Sequence, residues 1–98
     1  MMARHRLWID SSCPVDGAAD RYECVVDVSG RVVKCEEIVE AVEVLTKKPI
    51  FQEGLTQALA DRLNATVVTK GTHVKGRVET LVICHPGGAE RRDGCSTG

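Results

Sequence analysis

Residues 22–45 read YECVVDVSGRVVKCEEIVEAVEVL, and within this one stretch the hydrophobic period changes. Tyr22, Cys24, Val26 and Val28 alternate with Glu23, Val25 and Asp27, the two-residue period of a strand with one face buried. Ser29-Gly30 closes that strand. From Cys35 onward Ile38, Val39, Val42 and Leu45 recur at helical spacing, with Glu36, Glu37, Glu40 and Glu43 taking the other positions. Glu36 and Glu37 fall in the first turn, where the helix dipole favours acids, and Lys47-Lys48 are expected in the last, where it favours bases. A strand passing into an amphipathic helix points to a sheet packed on helices.

Reading outward, residues 5–10 form a preceding strand in which Leu7 and Ile9 alternate with Arg6 and Trp8. On the other side Pro49 is expected to end the first helix. A second helix begins near Phe51, with Leu55, Ala58, Leu59, Arg62 and Leu63 on its inner stripe and Asn64 as its stop. Residues 65–72 and 77–85 read as two further strands joined by His73-Val74-Lys75-Gly76. In the last of these Val78, Thr80, Val82 and Cys84 share one face and Leu81 and Ile83 the other, which predicts cover on both sides. The order is ββααββ, an α+β fold with a four-stranded antiparallel sheet and two helices on one face. Two helices cover one face only and both sheet edges stay open, so a homo-oligomer is expected. Residues 1–86 make a single domain, and 87–98, GGAERRDGCSTG, lack periodicity and are expected to be a disordered tail.

Composition narrows the function. A chain of 98 residues has a thin core, and with only 3% aromatics that core is built from Val, Leu, Ile and Ala around Trp8, Tyr22 and Phe51. The net charge of −1, from 13 basic and 14 acidic residues mixed along the chain, gives no footprint for a nucleic-acid backbone. No apolar run reaches the ~20 residues of a membrane span, and MMARHRLW lacks an apolar signal core, so a cytoplasmic protein without a membrane partner is expected. Five cysteines without a secretory signal favour free thiols. No CxxC or HxxxH spacing occurs, Cys84-His85 being the nearest to a ligand pair, so no metal is expected.

Two short stretches carry chemistry. CPVDGAAD, residues 13–20, places Cys13 ahead of a proline and Asp20 seven positions later, in a turn between strands. A thiol beside a protonated carboxyl suits addition to a carbon–nitrogen multiple bond: sulfur attacks carbon, and the acid supplies a proton to nitrogen. The same residues also suit an ordinary turn with a small buried thiol. Cys24 and Cys84 read as strand packing, and Cys35, at a helix start, lacks a partner acid or base. The second stretch is Phe51-Gln52-Glu53-Gly54, where a first-turn carboxylate, Glu53, either serves the helix dipole or accepts two parallel hydrogen bonds from an amidine-like N–H pair such as the guanine edge.

CPVDGAAD resembles the Cys-Pro-x-Thr-Gly-x-x-Asp signature of the 7-cyano-7-deazaguanine reductases of queuosine biosynthesis and of their archaeosine synthase relatives, which act on the same nitrile within tRNA. IFQEGLTQALADRL resembles the segment around their Phe-His-Glu motif, and Cys13 and Glu53 stand 40 positions apart, about as in that family. The similarity spans roughly residues 7–85. It implies the tunnelling fold, assembly into an oligomeric barrel, and a pocket between subunits where Cys13 and Glu53 meet across an interface. It further implies that Cys13 is the nucleophile forming a thioimide, Asp20 the acid, and Glu53, with Phe51 and Gln52 beside it, the anchor of a 7-deazapurine, free or within tRNA. Asp16 replaces the usual threonine and Gln52 the usual histidine. The reductases bind NADPH through a lysine-bearing motif early in the first helix, whereas this chain reads Glu36-Glu37-Ile38-Val39-Glu40-Ala41, whose acids repel phosphates. The resemblance therefore favours ammonia as the second reactant and an amidine as product, with no cofactor. The alternatives are an NADPH-dependent nitrile reductase and a non-catalytic purine- or pterin-binding protein. His73, Lys75 and Arg77 either line the pocket or form a solvated hairpin tip.

Overall fold

The computed structural model describes residues 1–87 and runs β1 (Met2–Ser12), β2 (Ala19–Ser29), α1 (Cys35–Leu45), α2 (Gln52–Leu63), β3 (Thr66–His73) and β4 (Val78–Cys84). The tail expected to be disordered lies, from residue 88 on, outside the described residues. The strands form one antiparallel sheet in the order β1-β2-β3-β4. β1 and β2 reach well beyond the stretches that alternate in sequence, because each pairs with the other along its whole length, from Met2↔Ser29 to Ser12↔Ala19. Ladder hydrogen bonds hold an extended backbone even where the side chains are polar.

The alternation of β2 sends Tyr22, Cys24, Val26 and Val28 inward, all at most 1% exposed. They meet Val67, Val82 and Cys84 from β3 and β4, Ile38 and Ala41 from α1, and Leu55, Leu59, Ala60 and Leu63 from α2. α2 packs on β3, β4 and α1. The buried stripe of α1 is therefore Ile38 and Ala41 flanked by Val42 and Leu45, and Val39 faces out. In α2 the expected Ala58 and Arg62 give way to Gln52, Thr56 and Ala60, because two polar residues are buried with partners. α1 ends sooner than expected, at Leu45: the Thr46 backbone N–H and its hydroxyl both donate to the Val42 carbonyl, leaving Lys47 and Lys48 beyond the last turn. Asn64 stops α2 as expected, in the left-handed region at φ 48°. The guanidinium of Arg31 donates to the Leu63 and Asn64 carbonyls, satisfying acceptors that a helix end leaves free.

Only one face of the sheet is covered. The cover on both sides expected from β4 is absent among the described residues, with Leu81 58% and Ile83 47% exposed beside an exposed Trp8. Ion pairs stud the same face: Arg4 grips Asp27 with two hydrogen bonds, Lys70 lies 3.2 Å from Glu23, and the Arg21 guanidinium sits 5.0 Å from the Trp8 ring centre. Cys13, Cys24 and Cys35 are free thiols, as expected, but Cys84 is disulfide-bonded, contrary to the expectation of free thiols throughout. It is fully buried beneath the helices, and as a disulfide sulfur it carries no ionisable proton. No helix among the described residues is long and apolar enough to cross a membrane.

Candidate active site

The turn after β1 is built by its own backbone. Cys13 donates its N–H to the Ala18 carbonyl at 2.9 Å and accepts from the Gly17 N–H at 2.8 Å, and Asp16 accepts from the Ala18 N–H at 2.9 Å. Asp16 is thus a turn-former, which suits its place where the signature has threonine. Gly17 takes φ 72°, a conformation that disfavours any side chain. These bonds set Cys13 at the mouth of the hairpin and start β2 so that Asp20 and Tyr22 share its inner face.

A single long-range backbone bond brings in the second motif. The N–H of Ile50 donates to the Ser12 carbonyl at 3.1 Å, tying the linker between the helices to the residue before Cys13. α2 starts two residues later, so Phe51 and Glu53 project beside the cysteine turn. The result is a cavity of about 240 Å³ lined by Cys13, Pro14, Asp20, Tyr22, Ile50, Phe51, Gln52, Glu53, His73 and Thr80. All five residues singled out in the sequence line it. They do so within one chain, where the resemblance implied a meeting of Cys13 and Glu53 across subunits. A wider depression of about 620 Å³ continues outward past Pro14, Phe51, Glu53 and Gly54.

These groups lie close enough to act on one another's charge. The Tyr22 hydroxyl donates to Asp20 Oδ2 at 3.3 Å. Its ionisation is pushed above the ordinary value of 10, first by burial, then by the charge and hydrogen bond of Asp20, and further by the charges of Cys13 and Glu53. Tyr22 is therefore a phenol, a donor, at any physiological pH. Cys24, one turn of the strand deeper, has its thiol pushed up to about 12 by burial alone and is inert packing.

The floor is polar but closed. Gln52, 2% exposed, donates from Nε2 to the Thr80 carbonyl at 3.0 Å and to Thr69, whose Oγ1 and carbonyl oxygen both lie at 3.2 Å. The Thr69 and Thr56 hydroxyls are 2.6 Å apart, and Thr56 donates to the Gln52 carbonyl at 2.7 Å, completing a ring of hydrogen bonds. Gln52 Oε1 faces His73 Nε2 at 2.7 Å. The amide of Gln52 is thus engaged by the fold on both sides.

Tyr22 and Thr80 were not placed in the site by sequence, and of His73, Lys75 and Arg77, left open between pocket and hairpin tip, only His73 lines the cavity. Tyr22 could have been, since it stands two residues after Asp20 and so shares its strand face. His73 reaches the cavity because β3 extends one residue further than its pattern suggests, while Lys75 and Arg77 stay in the exposed hairpin turn. Gly71 makes room: a Cβ there would stand 2.4 Å from Tyr22 Cδ1, so the buried ring lies flat against bare backbone. Among the described residues no three metal-ligating side chains cluster.

No protein-family model matches this chain, and no curated protein matches it significantly. Among solved structures it is similar to the apo form of the archaeosine synthase QueF-Like, with 24% identity over 89% of this chain and 94% of that one, at a TM-score of 0.76. The likeness establishes the fold: the ββααββ architecture described above is that of a QueF-like protein.

Proposed function

We propose that this chain binds a 7-cyano-7-deazaguanine-type base, free or within tRNA, and converts its nitrile to an amidine with ammonia. The observation that carries this reading is the convergence of Cys13, Asp20 and Glu53, from three separate segments, on one cavity. Its volume of about 240 Å³ lies below the ~300–1,000 Å³ typical of drug-sized ligands and suits a single flat base. The fold shared with an archaeosine synthase supports the same substrate class.

In this scheme the carboxylate of Glu53 accepts two parallel hydrogen bonds from the guanine-like edge, while the ring of Phe51, 56% exposed at the mouth, covers the flat face. Cys13 Sγ adds to the nitrile carbon as Asp20 gives its proton to the nitrile nitrogen, forming a thioimide. Tyr22 donates to Oδ2 of Asp20, which leaves Oδ1 to carry that proton toward the ligand. Ammonia then adds to the thioimide carbon, the carbon–sulfur bond breaks, and the amidinium departs as the thiolate of Cys13 is released. No hydride is consumed. Glu36, Glu37 and Glu40 are all exposed on α1, where NADPH phosphates would meet three acids. The sheet face opposite the helices and the edge strands β1 and β4 are covered by further copies of the chain in an oligomeric barrel.

The decisive measurement is the intact mass of the chain after incubation with 7-cyano-7-deazaguanine. One equivalent of covalent ligand is expected on the wild type and none on Cys13→Ala; a wild type that binds the base yet stays unmodified rules out the thioimide. With ammonium added, the released product should be heavier than the nitrile by one ammonia, whereas NADPH consumption would overturn the ammonia route. Glu53→Ala should weaken binding by about 1.5–3 kcal/mol, the worth of a hydrogen bond to a charged group.

A further inference from the structure

The nitrile chemistry proposed above delivers one proton to nitrogen and must also remove one from sulfur. The titratable groups that share the cavity are Cys13 from the turn, Asp20 and Tyr22 from β2, Glu53 from α2 and His73 from β3, while β4 contributes only Thr80. Asp20 is the donor, Glu53 is turned to the ligand edge, and Tyr22 does not ionise. His73 remains, and histidine is the side chain suited to exchanging protons near neutral pH.

The setting of that ring is specific. Gln52 Nε2 points at the carbonyls of Thr69 and Thr80, which only accept, so the amide cannot be turned over without placing oxygen against oxygen. Its Oε1 is therefore the atom 2.7 Å from His73 Nε2, and that ring nitrogen must be the one carrying hydrogen. The lone pair of the neutral ring is then on Nδ1. The ring centre stands 6.2 Å from that of Tyr22, which in turn holds Asp20.

We propose that His73 is the base of this site, its Nδ1 taking the thiol proton of Cys13 as the sulfur attacks, and that Gln52 is the positioning residue that fixes the tautomer able to do so. This rests on the function proposed above. The protons balance: the S–H proton passes to Nδ1 and the Asp20 proton to the nitrile nitrogen, giving imidazolium, carboxylate and thioimide. When ammonia displaces the sulfur, the amidinium leaves, the thiolate recovers its proton from imidazolium, and Asp20 is reprotonated from water.

The test follows the rate of adduct formation by the full chain with 7-cyano-7-deazaguanine, across pH 5.5 to 8.5, by quenched intact-mass measurement. The wild-type rate should show a rising step with pH, from the base that takes the thiol proton. His73→Asn should bind the base with wild-type affinity by calorimetry, lose that step, and form the adduct about 10²–10⁴-fold more slowly, as expected for loss of a general base. In His73→Gly, added imidazole should restore rate in proportion to its concentration. An adduct rate in His73→Asn within about threefold of wild type, with the step retained, overturns the proposal alone, as does a His73→Gly rate indifferent to imidazole. Loss of base binding in both variants makes His73 a binding residue and also overturns it. A wild type that forms no adduct sinks this proposal and the nitrile chemistry together.

Discussion

At the residue scale the free cysteines Cys13, Cys24 and Cys35 divide by surroundings and not by sequence motif. Cys13 is held half-buried by two backbone hydrogen bonds at the lip of a cavity, Cys24 is 1% exposed on the core face of β2, and Cys35 is exposed at the start of α1. Burial raises the Cys24 thiol because a thiolate would lose its hydration, so between the unfolded value of about 8.5 and the folded value of about 12 ionisation opposes folding. Whatever stability rests on the neutral thiol is complete below the unfolded value and is lost as pH rises toward the folded one. Iodoacetamide at pH 8 should accordingly modify the Cys13 and Cys35 peptides and leave the Cys24 peptide unmodified until denaturant is added; early labelling of Cys24 would contradict the burial. Cys13 and Asp20 were legible as a candidate pair because they lie in one short stretch that resembles a known signature. Gln52 was legible as a position and not as a role, since nothing in sequence tells that a glutamine at a helix start is buried against two strands.

At the element scale the site depends on where strands and helices begin. β2 supplies Asp20 and Tyr22 only because it starts at Ala19, and α2 presents Glu53 only because Ile50 is tied to Ser12. Period reading found every element, yet the strand ends that form the cavity lie past the last alternating apolar residue, where pairing alone sustains them. Gly71 is the tightest of these contacts. Added methyl volume there meets the Tyr22 ring, which is fully buried and cannot swing out. Gly71→Ala should therefore destabilise the fold by about 1–3 kcal/mol, the range for overpacking a filled core, measured by urea denaturation. A loss under about 0.5 kcal/mol would mean that the ring has room to move.

At the scale of the whole molecule the described residues form one layer of sheet under one layer of helices, with Trp8, Leu81 and Ile83 exposed on the other face and β1 and β4 at the sheet's two edges. Burying such a face against copies of itself removes apolar surface and pairs the open edges at once. Light scattering on the purified chain should give a mass several times the 10.6 kDa of one copy. Leu81→Glu combined with Ile83→Glu should shift that mass to the monomer without unfolding it, because neither side chain belongs to the covered core. A wild type that is monomeric at micromolar concentration would remove the oligomer.

The sequence by itself determined the α+β order, because side-chain periods of two and of 3.6 are local properties that a short window reveals. It also named Cys13, Asp20 and Glu53 as candidates, since their motifs are short and contiguous. The tertiary structure alone decided that they share one cavity within a single chain, that Gln52 faces inward, and that His73 lines the same cavity. Those facts depend on strand register and on one backbone bond between Ser12 and Ile50, contacts between residues distant in sequence that leave no trace in any local pattern.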